Sequence, residues 1–109
     1  ANFVAFEKDL TIRKEIDRFF KKREIAVNIL SEFDNIETIK QALDISDAVS
    51  ILPRPGIARE VERGIIKEVF LDNFDLERPV GLIYRSRRDL SPTASEFVQF
   101  LMGQQSAQA

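Results

Sequence analysis

The 109-residue sequence contains no cysteine and no histidine. The first absence excludes disulfides, thiolate metal sites and thiol nucleophiles. The second removes the commonest general base and the commonest side-chain metal ligand. No nucleophile, base and orienting group can be assembled from the residues that remain, so the chain reads as a non-enzyme that needs no cofactor and no metal. An apolar run long enough to span a bilayer is also missing, and the first residues carry no signal-peptide pattern. No membrane association is expected, and a cytoplasmic location fits. There is little excess charge of either sign: the net charge of −2 supplies no general basic field for nucleic acid.

What is present suits one folded domain with a single core, at 44% hydrophobic and 31% charged residues. The chain is organised around residues 31–64. Asp34, with Glu37 three residues on, has the spacing of a capping box at a helix N-terminus. Ile36, Ile39 and Leu43 give that helix an apolar face. The apolar run 48–52 reads as a buried strand, bounded by Pro53 and Pro55, which cannot continue a ladder. A short helix follows and stops at Gly64.

Upstream, 3–6 is a buried strand, and Asp9 or Thr11 is the expected cap of a first helix. Ile12, Ile16, Phe19 and Phe20 form its apolar stripe, and Arg13, Lys14, Asp17 and Arg18 take the other faces. Residues 26–30 read as the second strand. Downstream, 65–71 and 80–84 read as strands joined by a polar connection. Ser91-Pro92 opens a last helix whose stripe is Phe97, Phe100 and Leu101 and whose end is Gly103, with a frayed tail beyond. Strands alternating with helices predict an α/β fold, a three-layer α/β sandwich.

The segments D-N-I-E-T-I-K-Q-A-L, S-I-L-P and A-R-E-V-E-R-G carry a resemblance in their order and spacing. So do the later Arg78-Pro79-Val80-Gly81-Leu82-Ile83-Tyr84 and Leu90-Ser91-Pro92. Together they resemble the C-terminal part of the effector-binding domain of LysR-type transcriptional regulators, from about Phe3 to Leu101. One departure is Ser46-Asp47-Ala48, where the family usually has a Gly-rich turn. The resemblance implies one lobe of a type 2 periplasmic-binding-protein-like fold. Residues 1–71 would form the second lobe, and 72–109 the return strand and C-terminal helix belonging to the first. The rest of the first lobe and a winged helix-turn-helix domain would lie outside this sequence. The strand 80–84 and the last helix, without those partners, are expected to dock on their own lobe or to pair with another copy.

In open α/β sheets ligands bind beyond the carboxyl ends of the strands, near helix N-termini. Three places qualify: 7–11, 33–35 and 53–55. Free N–H groups at a helix start suit a carboxylate or phosphate, and Arg54 would add a charge-assisted bond. Each residue has a plainer role as well: Asp34 as a cap, Phe33 as core, Arg54 as a solvated charge. The resemblance favours the second place, so the candidate effector-binding residues are Phe33, Asp34, Asn35, Pro53 and Arg54. It also implies that the first helix helps to build a homodimer; Phe19 and Phe20 are adjacent, so one of them is expected to face the partner. The basic run 85–88 reads as a solvated loop, lacking interleaved aromatics.

The expected function is that of an effector-sensing fragment of a LysR-type transcription factor. It would bind a small-molecule co-inducer, self-associate, and reach promoter DNA only through the N-terminal domain. A solute-binding domain of a transport system and a free-standing α/β binding module are the alternatives. A phosphoacceptor receiver domain fits less well: Glu7 and Asp9 mimic its acidic site, but the central strand ends Ile51-Leu52-Pro53 without an acceptor aspartate.

Overall fold

The computed structural model describes residues 2–71, 79–85 and 92–108, with side chains in the last segment at 92 and 94–102. The order is β1 (Asn2–Phe6), α1 (Thr11–Lys22), β2 (Asn28–Phe33), α2 (Ile36–Asp44) and β3 (Ser50–Pro53). A single 3-10 turn (Arg54–Gly56) leads into α3 (Ala58–Glu62), β4 (Ile66–Phe70), β5 (Val80–Arg85) and α4 (Pro92–Gln108). The architecture is mixed α/β.

Strands β1 and β2 pair in parallel, and β5 lies between β3 and β4, antiparallel to both. A parallel bridge from Phe3 to Val49 joins the two sheets. Val4 N–H donates to the Val49 carbonyl at 2.9 Å, Val49 N–H to the Asn2 carbonyl at 3.0 Å, and Ser50 Oγ to the Val4 carbonyl at 2.7 Å. The strands therefore run β2-β1-β3-β5-β4. Residues 3–6 and 80–83 are all buried, as continuous apolar runs in inner strands should be. β2 and β4 have a described partner on one side only; β2 exposes Ile29 and Leu30, and β4 carries Lys67 and Glu68.

Helix α1 buries the expected stripe of Ile12, Ile16, Phe19 and Phe20. Neither phenylalanine turns outward. Phe20 stands edge-on to Phe3 at 5.3 Å and to Phe97 of α4 at 6.1 Å, and the Arg23 guanidinium covers the Phe19 ring at 4.7 Å. Two neighbouring rings fit inside because α4 covers one and Arg23 the other. Arg13, expected on an outer face, is buried too. Helix α4 buries Ala94, Phe97, Val98 and Leu101 and leaves Phe100 46% exposed, so its inner stripe has the i, i+3, i+4, i+7 spacing. It also runs on through Gly103 to Gln108. The expected cap Ser91, the polar connection 72–77 and the basic residues 86–88 lie outside the described residues.

Local chemistry moved several boundaries. Helix α1 starts at Thr11 with Leu10 in the N-cap position and no side-chain cap, so neither Asp9 nor Thr11 serves. Helix α2 is capped by Asn35, not Asp34: Asn35 Oδ1 accepts both the N–H and the Oγ–H of Thr38 at 2.8 Å. The second strand begins at Asn28, two residues later than expected. At Ser46-Asp47-Ala48 no residue takes a positive φ. Ser46 Oγ instead donates to the Ala42 carbonyl at 2.6 Å, so a glycine is not required there.

Candidate functional site

The carboxyl ends of β1, β2 and β3 open on one cavity of about 640 Å³. Phe6 ends β1 and is followed by Leu10, Thr11 and Ile12 from the start of α1. Asp34, Asn35, Ile36 and Glu37 come from the β2–α2 junction, and Pro53 from the end of β3. Each of the three places read from the sequence contributes to this one cavity: Leu10 and Thr11 from the first, Asp34 and Asn35 from the second, and Pro53 from the third. Alternation explains it: the parallel strands β1 and β2 end on the same edge, each hands over to a helix there, and β3 joins β1 in parallel through Val49.

Two helix N-termini therefore meet the cavity. The first-turn N–H groups of α1 have no side-chain cap, and the Asn35 cap on α2 takes only the Thr38 N–H. Asp34 is occupied in part by the Asn35 amide, which donates to its Oδ1 at 2.8 Å. The lining is mostly apolar, with backbone donors and two acidic side chains at its margin.

Of the residues singled out in the sequence, the structure brings Asp34, Asn35 and Pro53 together at this cavity. Phe33 packs against the core, and its carbonyl accepts the Glu7 N–H at 2.9 Å. Arg54 turns to the other side of the turn, where it lines a separate cavity of about 480 Å³ with Pro55, Ile57 and Pro79. Its guanidinium meets Glu68 at 2.8 and 3.2 Å and lies 3.9 Å over the Phe70 ring. Gly81 makes room for that carboxylate: a Cβ there would run into the Glu68 side chain. Sequence reasoning passed over Phe6, Ile12, Ile36 and Glu37. Their signal was position, since each lies within a few residues of a strand's carboxyl end.

Two charged clusters fix these strand ends. Arg13 is 6% exposed; its Nη1 donates to the Phe6 carbonyl at 2.7 Å and to Glu32 Oε2 at 2.6 Å, and its Nε to Asp17 at 2.9 Å. It ties α1 to the ends of β1 and β2. Burial works against the guanidinium's charge, but the hydrogen bonds to Glu32 and Asp17 outweigh it and raise its pKa. The bond from Arg13 in turn lowers the pKa of Glu32. Lys40 on α2 meets Glu37, Glu60 and the Gly56 carbonyl. Its burial also opposes charge, and the bonds to Glu60 and then Glu37 raise its pKa above that of an ordinary lysine; Glu60 is lowered by the same bond.

The comparisons with known proteins agree with one another. The chain is 29% identical over 105 residues to a protein named probable RuBisCO transcriptional regulator from Trichormus variabilis, covering 94% of this chain and 31% of that protein. A protein of the same name from Gracilaria tenuistipitata var. liui is 30% identical over 98 residues, covering 87% and 32%. The HTH-type transcriptional activator CmpR of Synechocystis sp. is 27% identical over 95 residues, covering 87% and 31%. The chain thus spans about a third of the length of the curated relatives it matches. No solved structure gave a match. The family described as LysR substrate binding domain matches residues 1–106, and the chain belongs to that family.

Proposed function

We propose that this chain is the effector-sensing part of a LysR-type transcription regulator, and that the cavity where β1, β2 and β3 end takes a small molecule bearing a carboxylate or phosphate. The observation that carries the reading is the meeting of two helix N-termini at one mostly apolar cavity. Backbone donors would hold the anionic group, and Leu10, Ile12 and Ile36 would cover its apolar part. Asp34 and Glu37 at the rim select against multiply charged anions that cannot reach the helix ends. The relatives' names, which speak of transcriptional regulation, support the regulatory role.

The proposed architecture is a three-layer α/β sandwich, one lobe of a type 2 periplasmic-binding-protein-like fold. Residues 1–71 are its second lobe, and 72–109 carry the return strand and the last helix. The full-length protein would act in the cytoplasm as a homodimer or larger assembly and reach promoter DNA through a separate N-terminal domain. With Phe19 and Phe20 buried, self-association would use the outer face of α1 and the exposed edge of β2. An effector acts only by preferring one arrangement of lobes or subunits over another.

The test is a thermal-shift and calorimetric screen of small carboxylates and phosphates on the full-length protein, repeated on Thr11→Trp. Thr11 is exposed at the cavity mouth, so the indole fills the cavity without entering the core. Binding by the native protein and its loss in the variant, at an unchanged unfolding midpoint, is the expected result. Equal binding by both proteins, or none by either, rejects the site.

A further inference from the structure

The ammonium of Lys40 sits between α2 and the turn that follows β3. It donates to the Gly56 carbonyl at 3.1 Å and to Glu60 Oε2 at 2.8 Å, and meets Glu37 Oε1 at 2.9 Å. An ammonium has three N–H donors, and three acceptors surround it. The side chain is 13% exposed, so its four-carbon stem is packed away rather than waving in water. A lysine held this way has lost most of its rotamer freedom, and its bonds must outweigh that loss.

Gly56 closes the turn Arg54–Gly56, and Pro53, which opens it, forms one wall of the cavity. Ile36 and Glu37, from the first turn of α2, form another. The turn rests directly on α2: a Cβ on Gly56 would sit 2.8 Å from Ile36 Cδ1. At its Arg54 end the turn is fixed to the sheet, because Arg54 N–H donates to the Pro79 carbonyl at 3.1 Å and its side chain is paired with Glu68. At its Gly56 end it is fixed to α2 by Lys40.

We propose that Lys40 is a positioning residue for the effector cavity: without lining it on the Pro53 side, it sets the separation between the Pro53 wall and the α2 wall. The inference rests on the reading of that cavity given above. Lys40 draws Gly56 against Ile36 and holds Glu60 on α3 in the same grip, so turn, α2 and α3 move as one body. An ammonium at this place does what an apolar residue cannot, because only a shared donor ties the Gly56 carbonyl to the carboxylates of α2 and α3.

Amide hydrogen exchange of the full-length protein, native against Lys40→Met, tests this with no ligand present. The Arg54 and Ile57 amides, bonded to Pro79 and Arg54 carbonyls, report on the turn. They are expected to exchange roughly ten-fold faster in the variant, beyond any change at the β1 and β5 amides, which report global unfolding. Turn amides that merely keep pace with the sheet amides overturn the proposal, since a residue acting only through overall stability gives that pattern. Should Lys40→Met fail to fold, Glu60→Ala removes one partner and keeps the bond to Gly56. A selective rise of roughly three-fold at the same two amides is then expected, and no selective rise overturns the proposal. Because no effector enters the measurement, a failed effector screen rejects the cavity reading alone and leaves the exchange result to stand or fall by itself.

Discussion

At the scale of single residues, the ends of α1 and α3 make a natural pair. Both finish in the same hydrogen-bonded motif: Glu24 N–H to the Lys21 carbonyl and Ile25 N–H to Phe20 in one, Gly64 N–H to Val61 and Ile65 N–H to Glu60 in the other. The motif needs a positive φ, which is 55° at Glu24 and 75° at Gly64. Gly64 was legible in the sequence because glycine marks such a stop; nothing in a glutamate does. The left-handed conformation costs a side-chain-bearing residue about 1–2 kcal/mol, and glycine gives back about half of that as entropy of the unfolded chain. Glu24→Gly should therefore stabilise the protein by about 0.5–1 kcal/mol, read from the urea midpoint. Gly64→Ala should destabilise it by about 1 kcal/mol, purely conformationally, because nothing lies within 4 Å of the added Cβ. A destabilised Glu24→Gly would mean the glutamate side chain contributes more than the strain costs. Asp34 and Asn35 are both good caps, and spacing to Glu37 favoured the first. Thr38 decided for the second, by offering Asn35 a hydroxyl as well as an amide.

At the scale of elements, the apolar patterns were legible and their registers less so. The stripe of α1 was read correctly because four large residues share one arc. Arg13 borders that arc, three residues from Ile16, and is buried because a carbonyl and a carboxylate wait for it; those partners are distant in sequence. In α4 the expected stripe of Phe97, Phe100 and Leu101 is met at Phe97 and Leu101, which are buried together with Ala94 and Val98, whereas Phe100 stays exposed. Strand β2 has an unspent surface. It leaves Ile29 37% and Leu30 49% exposed, and Leu30 is the extra residue of a bulge opposite Phe3 and Val4. An edge strand with exposed aliphatics invites another strand, and bulges and lysines are the usual defence. Leu30→Lys should weaken the self-association proposed for the full-length protein, read by sedimentation velocity, while leaving its circular dichroism and unfolding midpoint unchanged. An unaltered dissociation constant would remove β2 from the interface.

At the scale of the whole molecule, what the sequence could not supply is the convergence of distant ends. Residues 6, 36 and 53 are far apart along the chain, and only parallel pairing of β1 and β2, with β3 joined in parallel through Val49, sets their ends at one cavity. The clusters around Arg13 and Lys40 hold that edge together from both sides, one joining α1 to β2 and the other α2 to α3. Each contains a glutamate, Glu32 or Glu60, whose pKa is lowered in the folded protein by a hydrogen bond from the cation. The sign of the pH dependence follows. Between the folded and the ordinary carboxylate pKa, the unfolded chain binds more protons than the folded one, so stability rises with pH. The contribution is present in full above the unfolded value, near 4.5, and is lost as pH falls through the folded value. Thermal unfolding of the native protein should hold steady near neutrality and fall as the pH drops below about 5. The double variant Glu32→Gln/Glu60→Gln should start less stable at neutral pH and lose less over the same acid range. Parallel acid slopes for the two proteins would place the acid-sensitive groups elsewhere and leave the two clusters as geometric ties without a titrating role.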